Sequence, residues 1–139
     1  MQEDLLLSQE KKHLLDNAKV IAVVGLSDNS NRPSNRIGRY LQGQGYKVVP
    51  VNPLLEEALG EKSYPDLKSV PHKIDIVDIF RRSEEVHDIV KEAQELKIPA
   101  IWVQVGIECS DDTIELAKAS NMKLIKNCCI MVEHKMLNN

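Results

Sequence analysis

Val20-Ile21-Ala22-Val23-Val24-Gly25-Leu26-Ser27, with Arg32-Pro33-Ser34 close behind, is the stretch that decides the fold. A near-continuous apolar run ends in Gly and Ser, and a helical pattern follows. A fully buried parallel strand reads this way when it delivers the chain to a phosphate-binding turn. Gly25 lets a ligand approach the backbone with no Cβ in the way. Ser27 offers a hydroxyl, and Pro33 suits the first turn of a helix, where its missing N–H costs nothing. The free N–H groups of that turn and the helix dipole then face an anion. The plainer alternative is a buried strand and loop that hold no ligand.

Outward from this turn the chain alternates strand and helix. Upstream, Leu5, Leu6, Leu14 and Leu15 lie among Glu, Gln and Lys, an amphipathic helix over 1–16. Downstream, Ile37, Tyr40 and Leu41 share one helix face, and Gly43 and Gly45 end that helix. Tyr46 to Val51 reads as a second strand closed by Asn52-Pro53, with Pro50 best placed among its last residues. Residues 54–73 read as a loop with one short helix near 66–70. Ile74 to Phe80 is a third strand with Arg81-Arg82 at its carboxyl end, and Ser83 is the expected N-cap of the next helix. Pro99 to Val103 is a fourth strand leaving through Gln104-Val105-Gly106, Ser110 caps a further helix, and Met122 to Ile125 is a short fifth strand. The pattern predicts one α/β domain over 1–139, Rossmann-like and three-layered, with a parallel sheet of about five strands: a core over 20–126 and a tail over 127–139.

The totals agree with a single domain. The 139 residues are 42% hydrophobic and 28% charged, and the net charge of −3 gives no general attraction to nucleic acid or acidic membranes. Three cysteines, two of them adjacent (Cys128 and Cys129, with Cys109 apart), do not make a disulfide framework. Reduced thiols and a cytoplasmic setting are expected. The acidic N-terminus lacks a secretory signal, and no apolar run approaches the ~20 residues that span a bilayer.

Ligands of such sheets bind beyond the carboxyl ends of the strands, so those residues carry the chemistry. A nicotinamide dinucleotide needs G-x-G-x-x-G at the first turn and an acid near the end of the second strand. Here the turn holds a single Gly and the second strand ends in Asn52-Pro53, which disfavours NAD and leaves NADP weakly open. Arg36 and Arg39 lie on the helix and read as a solvated face. Arg32 and Arg81 lie on strand-end loops and read as partners of a ligand with several phosphates. Trp102 either walls a pocket or covers the core, and Gln104 offers an uncharged donor and acceptor beside it. No histidine follows a strand, no nucleophile elbow or metal-ligand spacing is present, and neither catalytic residues nor a metal site is expected.

With these segments assembled, the chain resembles the small stand-alone CoA-binding domain family, and is similar to the N-terminal CoA-binding domain of the succinyl-CoA synthetase alpha subunit. The carrying segments are Val24 to Ser27, Arg32-Pro33-Ser34, Gly45 to Pro53, Gly60 to Pro65, Asp75 to Arg82, Trp102 to Gly106, and Cys129-Ile130 through Glu133-His134. The resemblance covers roughly residues 15–135. It implies coenzyme A, free or acylated, as ligand. Gly25, Leu26 and Ser27 would hold its phosphates, with Arg32 and Ser34 beside them, and Asn52 and Pro53 would flank the nucleotide. Phe80 and Arg81 would line the pocket, and Trp102, Val103 and Gln104 would form its far wall. Where the family often has Asp-Arg-Cys near the C-terminus, this chain has Asn127-Cys128-Cys129, so any contact of that Arg is lost. The ligase reaction is not carried over. The expected function is that of a CoA-binding carrier, sensor or accessory protein without catalysis of its own, with a homodimer or a partner enzyme left open. The alternatives are an NADP- or nucleotide-using enzyme, and a thiol-redox protein forming a CoA mixed disulfide at Cys128 or Cys129.

Overall fold

The apolar runs do form a parallel sheet. The computed structural model describes residues 2–138, with side chains from residue 8 onward. In chain order the elements are α1 (Gln2–Asn17), β1 (Val20–Val24), α2 (Pro33–Gly43), β2 (Lys47–Val51), β3 (Glu57–Ala58), β4 (Glu61–Lys62), a 3₁₀ turn (Leu67–Ser69), β5 (Ile76–Ile79), α3 (Ser83–Glu95), β6 (Ala100–Val103), α4 (Asp111–Ala119), β7 (Lys123–Ile125) and α5 (Ile130–Leu137). Five parallel strands lie in the order β2-β1-β5-β6-β7. The order reverses between β1 and β5, because the chain steps outward from β1 to β2 and then crosses back.

Alternation along each strand divides the core in two. Ala22, Val24, Val77, Ile79, Ile101 and Val103 face Val86, Val90 and Ala93 of α3 and Ala117 of α4. Ile21, Val23, Ile76, Ala100 and Trp102 face Leu15 of α1, Ile37 and Leu41 of α2, and Ile130 of α5. Both faces are covered, which is why these strands carry almost no polar residues. Leu5 and Leu6, expected on the packed stripe of α1, lie outside the described side chains; Leu15 is buried as expected.

Pro50 sits inside β2 without breaking the sheet. Lys47 N donates to Lys19 O and Gly25 N to Val51 O, so the odd-numbered residues of β2 face β1. Pro50 therefore faces the open edge, where its carbonyl accepts from Tyr64 N and its missing N–H removes no ladder bond.

Two local expectations are corrected, and the tail has structure of its own. Residues 54–73 contain the small antiparallel hairpin β3–β4 besides the 3₁₀ turn, which is itself close to the short helix expected. Arg82, not Ser83, is the N-cap of α3. Its N–H is taken by Glu85 Oε2 at 3.2 Å, while Ser83 Oγ is drawn away to accept from Glu108 N. The tail is no loose end, since α5 docks on the sheet face shared by α1 and α2. Tyr40 Oη and His134 Nδ1 hydrogen-bond at 2.6 Å, Lys11 pairs with Glu133, and Trp102 Nε1 donates to Cys128 O at 3.0 Å.

Trp102→Phe keeps an aromatic ring in the core but leaves the Cys128 carbonyl without its donor. The expected loss is about 1–3 kcal/mol in urea denaturation, most of it from the abandoned carbonyl and the space left by the smaller ring.

Candidate functional site

The reversal between β1 and β5 is held open by one residue. Gly25 has φ +92°, and a Cβ there would stand 2.4 Å from Phe80 O and 2.9 Å from Arg81 Cδ. Its N–H donates to Val51 O at 2.9 Å, and Phe80 N donates to Val24 O at 2.8 Å. The turn is thus fixed to the neighbouring strand on each side, at a φ that only glycine adopts readily.

The loop beyond it is tied by its own side chains. Ser34 Oγ accepts from Ser27 N, Ser27 Oγ accepts from Asn29 N, and Asn35 Nδ2 donates to Ser27 O. Asn52 binds the loop from the next strand end: its Nδ2 donates to Leu26 O at 3.1 Å, and its Oδ1 accepts from Leu54 N. These bonds replace the secondary structure that a loop lacks.

Two clefts open on either side of this turn. The first, ≈ 340 Å³, is lined by Gly25, Ser27, Arg32, Pro33, Ser34 and Phe80. It combines two hydroxyls and an exposed guanidinium at the start of α2, side-chain donors suited to an anion, while the N–H groups of Gly25, Ser27, Asn35 and Arg36 are taken by Val51 O, Ser34 Oγ and Arg32 O. The second, ≈ 290 Å³, has an apolar floor of Val24, Val51, Pro53, Pro65, Leu67 and Ile89, and Arg81 with five carboxylates around it. Arg81 joins the two, with its stem over Gly25 and its guanidinium 2.8 Å from Glu85 Oε1. That bond, first among several, holds the Glu85 carboxyl below its ordinary range.

Five of the residues picked out by sequence (Gly25, Ser27, Arg32, Ser34 and Phe80) line the first cleft, and Pro53 and Arg81 line the second. The others lie elsewhere. Leu26 is fully buried, so only its backbone is near the turn, and Asn52 serves as a strut of the loop. Trp102, Val103 and Gln104 do not form a wall of either cleft. β6 lies between β5 and β7 and is covered on both faces, so Trp102 and Val103 are 0% exposed and enter opposite halves of the core. Of the two roles open to Trp102, it takes the core. Gln104 turns inward and donates its amide to Asp78 Oδ1.

Asp78 is the residue that the strand-end reading missed. It is a completely buried acid in mid-strand, and its Oδ2 has no partner among the described residues. Burial pushes its carboxyl up to about 7, against the opposing pull of the Gln104 hydrogen bond. The signal was present as a charge inside Ile76-Val77-Asp78-Ile79, a run that should be wholly apolar. The thiols offer less. All three cysteines are free, and burial pushes Cys109 and Cys128 up, away from the thiolate form that attacks. Among the described residues no group of three or more His, Cys, Asp or Glu is placed to hold a metal ion.

Residues 19–135 match the family model described as a CoA binding domain. The protein YneT of Bacillus subtilis is 39% identical over 125 residues, covering 90% of this chain and 92% of YneT. Acetate–CoA ligase [ADP-forming] I of Archaeoglobus fulgidus is 28% identical over 131 residues; 87% of this chain matches only 19% of that larger protein. Among solved structures, a hypothetical protein from Pyrococcus horikoshii superposes with a TM-score of 0.91 at 32% identity, over 95% of this chain and 92% of that one.

Two outcomes test this geometry. Gly25→Ala forces a Cβ against the Phe80 carbonyl at an unfavourable φ, and should cost roughly 2–4 kcal/mol in chemical denaturation. For Asp78 the folded-state pKa lies above the unfolded one, so the folded protein binds the extra proton between about pH 4 and pH 7. Asp78's contribution to stability is full below that window and is lost as pH rises through it, by about 1.4 kcal/mol per unit at most. Urea denaturation at pH 5 and pH 8 should show this fall, and Asp78→Asn should remove it. The depressed His134 acts in the opposite direction and is common to both proteins, so the difference between them isolates Asp78.

Proposed function

The chain belongs to the CoA-binding domain family, and on that premise we propose that it binds coenzyme A or an acyl-CoA across the two clefts, as a carrier, sensor or accessory protein that performs no reaction of its own. The observation that carries this reading is the pairing, at the point where strand order reverses, of a cleft that offers hydroxyls and a guanidinium with one whose floor is apolar. In this reading the pyrophosphate lies against Gly25, Ser27 and Ser34 with Arg32 above it, where the helix start and a guanidinium favour negative charge. The adenine lies on Val24, Val51, Pro53 and Ile89, a floor wide enough for a flat ring and without a charge of its own. The pantetheine arm leaves along the outer side of the first cleft, past Phe80.

Titration calorimetry of ligand-stripped protein tests the proposal. CoA should bind at one site per chain and more tightly than NADP. Arg32→Ala should weaken it about tenfold by removing a charge-assisted contact, and Ile89→Asp should weaken it at the other end. Absence of CoA binding at millimolar concentration would overturn the reading.

A further inference from the structure

The second cleft is unusual for a phosphate-bearing ligand. Its charged lining residues are Asp66, Glu84, Glu85, Asp88 and Glu92 against a single cation, Arg81. That cation is already engaged, 2.8 Å from Glu85. Asp66 accepts from Ser69 N and Glu92 from Lys68 N, bonds that satisfy the carboxylates without cancelling their charge. Glu84 and Asp88 are exposed and form no ion pair among the described residues. The rim is therefore strongly negative around a floor that is neutral and apolar.

Such a rim treats the parts of the ligand differently. Adenine is neutral and offers its amino group as a donor, which carboxylates accept. A 3′-phosphate carries about two negative charges and hangs from the ribose next to the ring, so it falls within one Debye length of the rim. No lysine or uncommitted arginine lines this cleft to receive it. The uncommitted guanidinium, Arg32, belongs to the first cleft, where the pyrophosphate lies.

Resting on the binding reading above, we propose that this site recognises the adenosine diphosphate portion of its ligand and is selective against a 3′-phosphate. The class of ligand it takes best is an adenosine 5′-diphosphate ester whose 3′-hydroxyl is free. Dephospho-CoA then binds more tightly than CoA, and Glu84 and Asp88 are the residues that set the preference.

The test is calorimetry with CoA and dephospho-CoA side by side, at low and at physiological salt, on the native chain and on the Glu84→Gln/Asp88→Asn double variant. Dephospho-CoA is expected to bind the native chain more tightly than CoA, with the gap widening at low salt, where carboxylate–phosphate repulsion is least screened. The double variant is expected to shift the ratio of affinities towards CoA by roughly fivefold. Equal or tighter binding of CoA by the native chain would overturn the proposal and leave the binding reading intact. So would a ratio that the double variant does not move. Failure of both ligands to bind would overturn the binding reading, and this inference with it.

Discussion

The fold turns on the contact between Gly25 and the Phe80 carbonyl. Parallel strands β1 and β5 lie side by side, and the chain leaving β1 must pass directly over the end of β5. A side chain at that crossing has no room, because its first carbon would overlap a backbone oxygen that belongs to the neighbouring strand. Glycine permits the crossing, and the crossing permits everything around it. Asn52 can reach the Leu26 carbonyl, Ser34 can close the loop on Ser27, and Arg81 can lie over the turn with its guanidinium towards α3. The two clefts are what remains on either side of that crossing.

The double-sided burial of the sheet is the second constraint, and it governs what its central strands can contribute. Trp102 and Gln104 share a face that α1, α2 and α5 close, so neither side chain lines a cleft. Asp78 lies on the same strand face as Ile76 and has only Gln104 as a partner for its carboxyl. A polar pair in such a place contributes little net stability and is vulnerable to any change of protonation. Function is left to the strand ends and to the loops that spring from them, where backbone groups are not already paired.

Much of this was legible in the residues themselves. Runs such as Val20 to Val24 and Ile76 to Ile79 announce buried parallel strands, and the single Gly before Ser27 marks the turn that shapes the first cleft. The family resemblance drawn from these segments agrees with the family match over 19–135. What escaped the sequence was direction. Position at a strand end puts a residue near the ligand edge, but the side of the sheet and the depth of cover decide where its side chain goes. Trp102 has the right position and the wrong cover. The carboxylate rim was hidden for the opposite reason, because Asp66 lies far along the chain from Glu84 and Asp88 and only folding brings it beside them. α5 was hidden because it is short and its partners, Lys11 and Tyr40, lie far from it along the chain.

That last arrangement has a consequence for the order in which the domain is completed. The face of the sheet that contains Trp102 is covered jointly by α1, α2 and α5, and α5 leaves the ribosome well after α1 and α2. Until then the indole has no carbonyl to meet, Glu133 has not reached Lys11, and Tyr40 lacks its histidine. The opposite face, served by α3 and α4, can close earlier. A nascent chain that has not yet made α5 therefore leaves apolar surface open on the Trp102 side of the sheet, and needs that helix to finish what β1 began.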